Sequence, residues 1–209
     1  MSTRLIEALK NYNNKESLQY QELFSKLVEG QRPDAIFIGC SDSRVMPNLF
    51  SHKDPGELFM VRNVGNLIPA ANLIGEALGD ESEASAIEYG LKHLHIDDII
   101  VCGHSSCGAM KAHVGGREKV DTINLSRWLR HADAIDQISN KIEIDKSLNY
   151  VDQFSQLNVL LQIENLKTYP IVKEYLSQNK LRLHAWWFQI ETAKMFIFNE
   201  TSKRFEIVT

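Results

Sequence analysis

The sequence predicts an α/β protein: a mostly parallel central sheet flanked by helices, with an antiparallel edge strand and an N-terminal helical arm. Three observations carry that prediction. Short apolar runs, Ala35 to Gly39, Glu57 to Val61 and Ile99 to Cys102, alternate with segments of helical period, as parallel strands joined by crossovers do. Two of those runs lead at once into Gly- and Ser-rich loops carrying cysteine and histidine, and open α/β sheets gather ligands at such carboxyl ends. From Leu181 onward the pattern becomes strand after strand, Leu181 to Phe188, Met195 to Phe198 and Phe205 to Val208, which suits an antiparallel edge.

The elements follow in order. Residues 3–29 read as two helices, with a stripe of Leu5, Ile6 and Leu9, a break at Asn11 to Asn14, a second stripe of Leu23, Phe24, Leu27 and Val28, and a stop at Gly30. A short amphipathic terminal helix is not stable alone, so this arm is expected to pack on the domain or on a second subunit. Strand 35–39 leads into the Cys40 loop, Pro47 opens a short turn or helix, and Glu57 to Val61 forms a second strand that needs a partner. Asn63 to Gly79, rich in Gly and Asn and containing Pro69, is expected to be a loop covering the mouth of a site.

From Ser82 a helix turns Ala84, Ile87, Leu91 and Leu94 to one inward face. After strand 99–102, Ser105 is expected to cap a helix running through Ala109, Met110 and Val114 to the stop at Gly115 and Gly116. Its N-terminus would then lie at the site, favouring thiolate and oxyanion. Trp128 falls in another helix. A long helix, Ser147 to Tyr169, presents Tyr150, Phe154, Leu157 and Leu161 on one face and ends at Pro170. No internal repeat or linker divides the chain, so residues 1–209 are expected to form a single domain with residues 1–29 as its arm.

Composition narrows the function classes. A chain of 209 residues, 44% hydrophobic and 24% charged, can bury a full core. A net charge of -4 without blocks of like charge gives nucleic acid no footprint. The longest run free of Lys, Arg, Asp and Glu, Asn63 to Gly75, is broken by Pro69, which speaks against a membrane span. Three cysteines, an odd count behind an N-terminus that mixes charges with no apolar signal core, argue for reduced thiols in the cytoplasm and for metal binding over disulfides.

The donors for that metal are Cys40, His104 and Cys107, with Asp42 beside them. Zinc takes sulfur and imidazole nitrogen at about 2.0 to 2.3 Å. Cys102, inside an apolar strand, has the plainer reading of a small core hydrophobe. The interval from Cys40 to Arg44 is too short for a Cys-dependent phosphatase loop. Gly103 to Cys107 ends in Cys where a hydrolase nucleophile elbow needs Gly. His52, His93, His95, His113, His131 and His184 take solvated or packing roles by default.

Cys40-Ser41-Asp42-Ser43-Arg44 together with His104-Ser105-Ser106-Cys107-Gly108 resembles the β-class carbonic anhydrases. The similarity runs from about Gln31 through Phe188 and takes in Pro55 to Phe59, Arg62 to Pro69, Ala86 to Tyr89 and Glu164 to Pro170. The resemblance implies one Zn2+ per chain held by Cys40, His104 and Cys107, an Asp42–Arg44 dyad, and an active site completed at a dimer interface. It assigns the substrate-contacting amide to Gln31, the apolar CO2 pocket to Phe59, Val64 and Tyr89, and a backbone donor to Gly108. The implied function is reversible CO2 hydration to bicarbonate and a proton, in a homodimer or a higher even-numbered oligomer such as a tetramer.

The expected chemistry is zinc lowering the pKa of its water to roughly 7 in a three-histidine site, with two thiolates and Asp42 moving the activity to the alkaline side of neutrality. Arg44 is expected to keep Asp42 off the metal through a bidentate bond. Some bacterial relatives switch off when bicarbonate sits near a Trp and a Tyr; the matching positions here are Phe37 and Phe188, which lack the polar atom. The alternatives are a CS2 or COS hydrolase on the same scaffold, and a non-catalytic protein whose zinc is closed off by Asp42 as fourth ligand.

Overall fold

The apolar runs condense into a six-stranded sheet in the computed structural model, which describes residues 3–51, 54–77 and 80–208, all but Asn140 and Lys141 with their side chains. His52 and the Leu78–Gly79 end of the 63–79 loop lie outside the described residues, as do Met1, Ser2 and Thr209. The strands are β1 (Ala35–Cys40), β2 (Leu58–Asn63), β3 (Asp98–His104), β4 (Arg182–Gln189), β5 (Lys194–Asn199) and β6 (Arg204–Ile207). Their order is β2-β1-β3-β4-β5-β6, with β1 to β4 parallel and β5 and β6 turning back as the expected antiparallel edge. Strand β2 finds its partner in β1 and leaves its other side as a sheet edge.

Alternation along the strands sorts residues between two faces. Ile36, Ile38, Ile99, Val101, Ala185 and Trp187 belong to the main core, where Ile87 and Leu91 of helix α4 (Glu81–Lys92) and Leu157 and Leu161 of helix α7 (Tyr150–Leu166) meet them. The inward stripe expected of the helix after Ser82 is confirmed by the burial of Ala84, Ile87 and Leu91. The opposite face holds a smaller cluster of Ala35, Phe37, Ile100 and Cys102 under Phe50, Leu58, Trp186 and Met195. Phe50 comes from the short helix α3 (Pro47–Ser51) that Pro47 opens.

The arm is α1 (Thr3–Asn11) and α2 (Ser17–Leu27), and no described residue of either helix is buried. The break expected at Asn11 to Asn14 is instead a π-helical turn, Tyr12–Glu16, in which Ser17 N–H reaches Tyr12 O. Widening one turn absorbs the polar residues without ending the helix. Asn11 Nδ2 also donates to Glu16 Oε1 at 2.7 Å, a local bond that replaces the loop.

Three further expectations need correction. Ser105 does not cap the next helix: α5 (Gly108–Val114) begins after Cys107, and Ser105 Oγ instead accepts the Ile190 N–H at 2.9 Å. The chain first spends Ser106 on a left-handed turn, φ 55°, that brings Cys107 back toward the strand end. Helix α7 is shorter than Ser147 to Tyr169. Asn149 caps it by accepting the Asp152 N–H, and Tyr150, expected on one face with Phe154, Leu157 and Leu161, is 59% exposed while Leu157 and Leu161 are buried.

Pro170 does more than end α7. It is the first residue of α8 (Pro170–Ser177), where its missing N–H costs nothing. Trp128 ends α6 (Ile123–Trp128) as expected of a helical residue, and short 3-10 segments at Arg117–Lys119, Leu129–Ala132 and Ile135–Lys141 lie in the connection from α5 to α7.

Candidate metal centre

Adjacent parallel strands end side by side, and β1 and β3 are adjacent. Gly39 pairs with Cys102, so the next residues out, Cys40 and then His104, emerge at the same carboxyl edge. The chain runs from β1 to β2 on one side and reaches β3 on the other, which makes this edge a topological switch point. There the ligand atoms of Cys40, His104 and Cys107 lie within 4.8 Å of one another, and the three residues are 5%, 0% and 1% exposed.

His104 shows what this cluster is for. Its Nδ1 lies 2.9 Å from the Ser105 carbonyl, which takes the ring proton on that side and leaves Nε2 as a bare lone pair. Nε2 is buried and has no hydrogen-bond partner among the described residues. A buried acceptor without a donor is costly, and a soft cation between two sulfurs and this nitrogen satisfies it. The donor set therefore fits a divalent metal such as zinc.

The sulfurs are set up as ligands too. The Gly65 N–H points at Cys40 Sγ from 3.4 Å. The Cys40 thiol is drawn well below its usual range, first by the hydrogen bond from Cys107, against the opposing cost of burial, with His104 and backbone amides adding to the effect. The same shared hydrogen bond and burial raise Cys107, which the Met110 and Ala109 amides at the start of α5 partly offset. Cys102 is fully buried in the sheet, and burial raises its thiol; it packs as the expected small hydrophobe.

Asp42 stands at the rim, its Oδ2 4.0 Å from His104 Nε2 and outside the three-residue cluster. Arg44 holds it with Nε on Oδ1 at 2.9 Å and Nη2 on Oδ2 at 2.7 Å, and the Arg44 backbone N–H adds a third bond at 3.0 Å. That guanidinium, hydrogen-bonding the charged form, keeps Asp42 well below the usual carboxylate range.

Several residues that build the centre escaped the sequence reading. Arg62 of β2 spans three backbone carbonyls of the Cys40 loop, donating to Cys40 O at 2.8 and 3.1 Å, Asp42 O at 2.8 Å and Val45 O at 2.8 Å. Helix α7 carries a buried polar stripe. Asp152 accepts from Ser106 N, Ser155 donates to His104 O, Asn158 donates to Gly65 O, and Gln162 accepts from Ile68 N. Asn165 Nδ2 donates to Ile68 O. The spacing of these five was visible in the sequence as one helical face; what hid it was that the face is polar and yet buried.

The expected substrate residues divide into two groups. Val64 follows β2 beside Gly65, whose N–H reaches Cys40, with Trp128 Nε1 donating to the Val64 carbonyl at 2.7 Å, and Gly108 opens α5 directly after Cys107. Gln31, Phe59 and Tyr89 do not join them within the chain. Gln31 precedes β1 and Phe59 pairs with Ile36 at its start, whereas Cys40 is its last residue. Tyr89 stays with Phe59, their rings 5.9 Å apart. Phe37 is fully buried on the second face, and Phe188 stacks on Phe50 at 5.4 Å.

Fold and site together define the class, an α/β protein with a Cys2His metal centre flanked by a carboxylate and guanidinium pair. A family model described as carbonic anhydrase matches residues 35–195. Carbonic anhydrases from Synechococcus elongatus and Pseudomonas aeruginosa are 39% and 38% identical, over 95% and 88% of this chain and 72% and 81% of theirs. The solved β-carbonic anhydrase CcaA superposes with a TM-score of 0.86 at 34% identity, covering 99% of this chain and 91% of that one. One of two tetrameric β-carbonic anhydrases from Sordaria macrospora superposes at 0.75 with 27% identity, over 95% and 98%. The chain belongs to the β-carbonic anhydrase family and is an enzyme of that family. No helix among the described residues is long and apolar enough to cross a membrane.

Proposed function

We propose that this enzyme catalyses the reversible hydration of CO2 to bicarbonate and a proton, with one Zn2+ per chain held by Cys40, His104 and Cys107. The observation that carries the proposal is the bare, buried Nε2 of His104 between two sulfurs, with Asp42 held beside it but outside the ligand cluster. Zinc at such a site supplies the Lewis acidity that makes water a nucleophile near neutral pH. A closed four-ligand site is disfavoured because both Asp42 oxygens are already taken by Arg44.

The residues of the chain divide the remaining work. Asp42, ionised and partly exposed, accepts a hydrogen bond from the attacking water and so aims its lone pair. Arg44 keeps Asp42 in that orientation. Gly108 offers its backbone N–H at the start of α5, and Val64 gives an apolar wall on the same side.

Gln31, Phe59 and Tyr89 act on the site of a second chain. Strand β1 alone puts about 17 Å between its ends, so no side chain at its start reaches the metal at its finish. An isologous pairing brings the start of one chain's strands to the end of the other's. The unpartnered edge of β2 and an arm with no buried residue support an even-numbered homo-oligomer, and a tetramer matches the state that its Sordaria relatives' description gives them. A cytoplasmic setting suits ligand thiols that must stay reduced.

The deciding experiment is zinc analysis with stopped-flow CO2 hydration, run beside COS and CS2 hydrolysis. One zinc per chain and fast CO2 turnover are expected; fast COS or CS2 turnover with slow CO2 hydration would transfer the assignment to the hydrolase.

A further inference from the structure

We infer that Asp152 is a positioning residue for the Asp42–Arg44 pair, acting through the backbone of Ser106; the inference rests on the CO2-hydration reading of the site. Asp152 lies in the first turn of α7, is 6% exposed, and its two oxygens have separate partners. Oδ2 accepts from Asn149 Nδ2 at 2.8 Å, and Oδ1 accepts the Ser106 N–H at 2.6 Å. The second bond is the informative one.

Ser106 stands between the metal ligands His104 and Cys107 with φ 55°, a region that residues with a Cβ seldom enter. Its carbonyl accepts Arg44 Nη2 at 3.3 Å. One residue therefore ties the loop after β3 to the loop after β1, with its N–H on Asp152 and its C=O, in the next peptide, on Arg44. If the N–H is released, the left-handed φ of Ser106 is no longer held, the carbonyl on its other side shifts, and Arg44 loses the contact that orients it from outside its own loop.

The start of α7 does not by itself call for the carboxylate. Asn149 already caps the helix, accepting the Asp152 N–H at 3.1 Å. A buried carboxylate on a backbone N–H makes a charge-assisted bond, stronger and shorter than a neutral one, and this bond is spent on the metal loop. Ser155, one turn later, holds the His104 carbonyl at 2.7 Å, so the same helix face fixes the loop at two points.

The test compares Asp152→Ala, Asp152→Asn and Asn149→Ala with the wild type for zinc content, kcat and KM for CO2 hydration, and the visible spectrum of the cobalt(II)-loaded protein. Asp152→Ala is expected to bind one zinc per chain, lose about tenfold in kcat with KM unchanged, and show cobalt bands shifted toward those of Arg44→Ala. Asp152→Asn, whose amide oxygen still accepts from Ser106, should lose only about threefold. Asn149→Ala removes the cap and the partner of Asp152 Oδ2 but leaves the Ser106 bond on Oδ1, so its kcat and spectrum should stay native.

A native kcat and native cobalt spectrum in Asp152→Ala would overturn the inference, and so would an Asn149→Ala as impaired as Asp152→Ala. If Asp152→Ala does not fold, the other two decide: a reduced Asp152→Asn beside a native Asn149→Ala supports the link, and the reverse order refutes it. A wild type without CO2 hydration would count against the carbonic anhydrase reading, while the cobalt spectra would still test the link itself.

Discussion

Arg44 grips Asp42 through both carboxylate oxygens, Nε to Oδ1 at 2.9 Å and Nη2 to Oδ2 at 2.7 Å, while Asp42 Oδ2 stands 4.0 Å from the bare Nε2 of His104. A small rotation of an unrestrained Asp42 would carry an oxygen into the ligand cluster and close it. The guanidinium fork prevents that by occupying both oxygens at once.

Removal of the fork is therefore expected to leave the metal and remove most of the turnover. Arg44→Ala should retain one zinc per chain and lose about a hundredfold in kcat, and Arg44→Lys should not restore it, because a single ammonium cannot hold two oxygens. Metal analysis beside stopped-flow kinetics reads both; near-native turnover in either variant would show that Asp42 stays off the metal by another means.

The pH profile follows from the sign of one shift and the charge of the ligands. Bonding to Arg44 pulls Asp42 down from the usual carboxylate range, so it is ionised from about pH 5 upward and neither limb of an assay above that pH belongs to it. Two thiolates offset the charge of a divalent ion, and the Asp42 charge favours water over hydroxide, so activity should rise on the alkaline side of neutrality. Asp42→Asn removes that negative charge, and the residual activity should have its midpoint at lower pH than the wild type. A wild-type profile already flat from about pH 6, or a midpoint unmoved in Asp42→Asn, would contradict the argument.

Completion of the site between chains has its own test, since Gln31 and Cys40 lie at opposite ends of β1. Gln31→Ala and Cys40→Ser are each expected to be inactive. Co-refolded in equal amounts, random pairing makes half the dimers mixed, each with one intact site, and about a quarter of native activity should return. A mixture no more active than its parents would place Gln31 in the site of its own chain, and a native Gln31→Ala would place it outside the reaction.

Arg62 shapes the loop that carries Cys40 and Asp42, bonding three of its carbonyls. Arg62→Ala should weaken zinc binding by about ten- to a hundredfold in competition with a chelator and lower the melting temperature. Unchanged zinc affinity would mean that the loop keeps its shape from the sheet alone.

The metal ligands were legible in the sequence for a local reason. Cys40 and His104 directly end apolar strand runs, so their place at the carboxyl edge of a sheet needed no tertiary knowledge. The Ala84, Ile87 and Leu91 face was legible in the same way, by its period. The polar stripe of Asp152, Ser155, Asn158, Gln162 and Asn165 was not, because an amphipathic pattern tells which face is polar but not that loops 63–69 and 104–107 would bury it. Ser105 misled for a related reason: capping preference is local, whereas Cys107 had to return to the metal first.

By itself, then, the sequence determined the strands, the donor types at their ends and the family, because these depend on residue chemistry and short-range period. Only the tertiary structure decided that Arg62 and α7 hold the two loops, and that Gln31, Phe59 and Tyr89 stand a strand's length from the metal of their own chain. Those relations arise from which segments pack together in space, and a straight parallel strand separates residues that a few positions in sequence make look like neighbours.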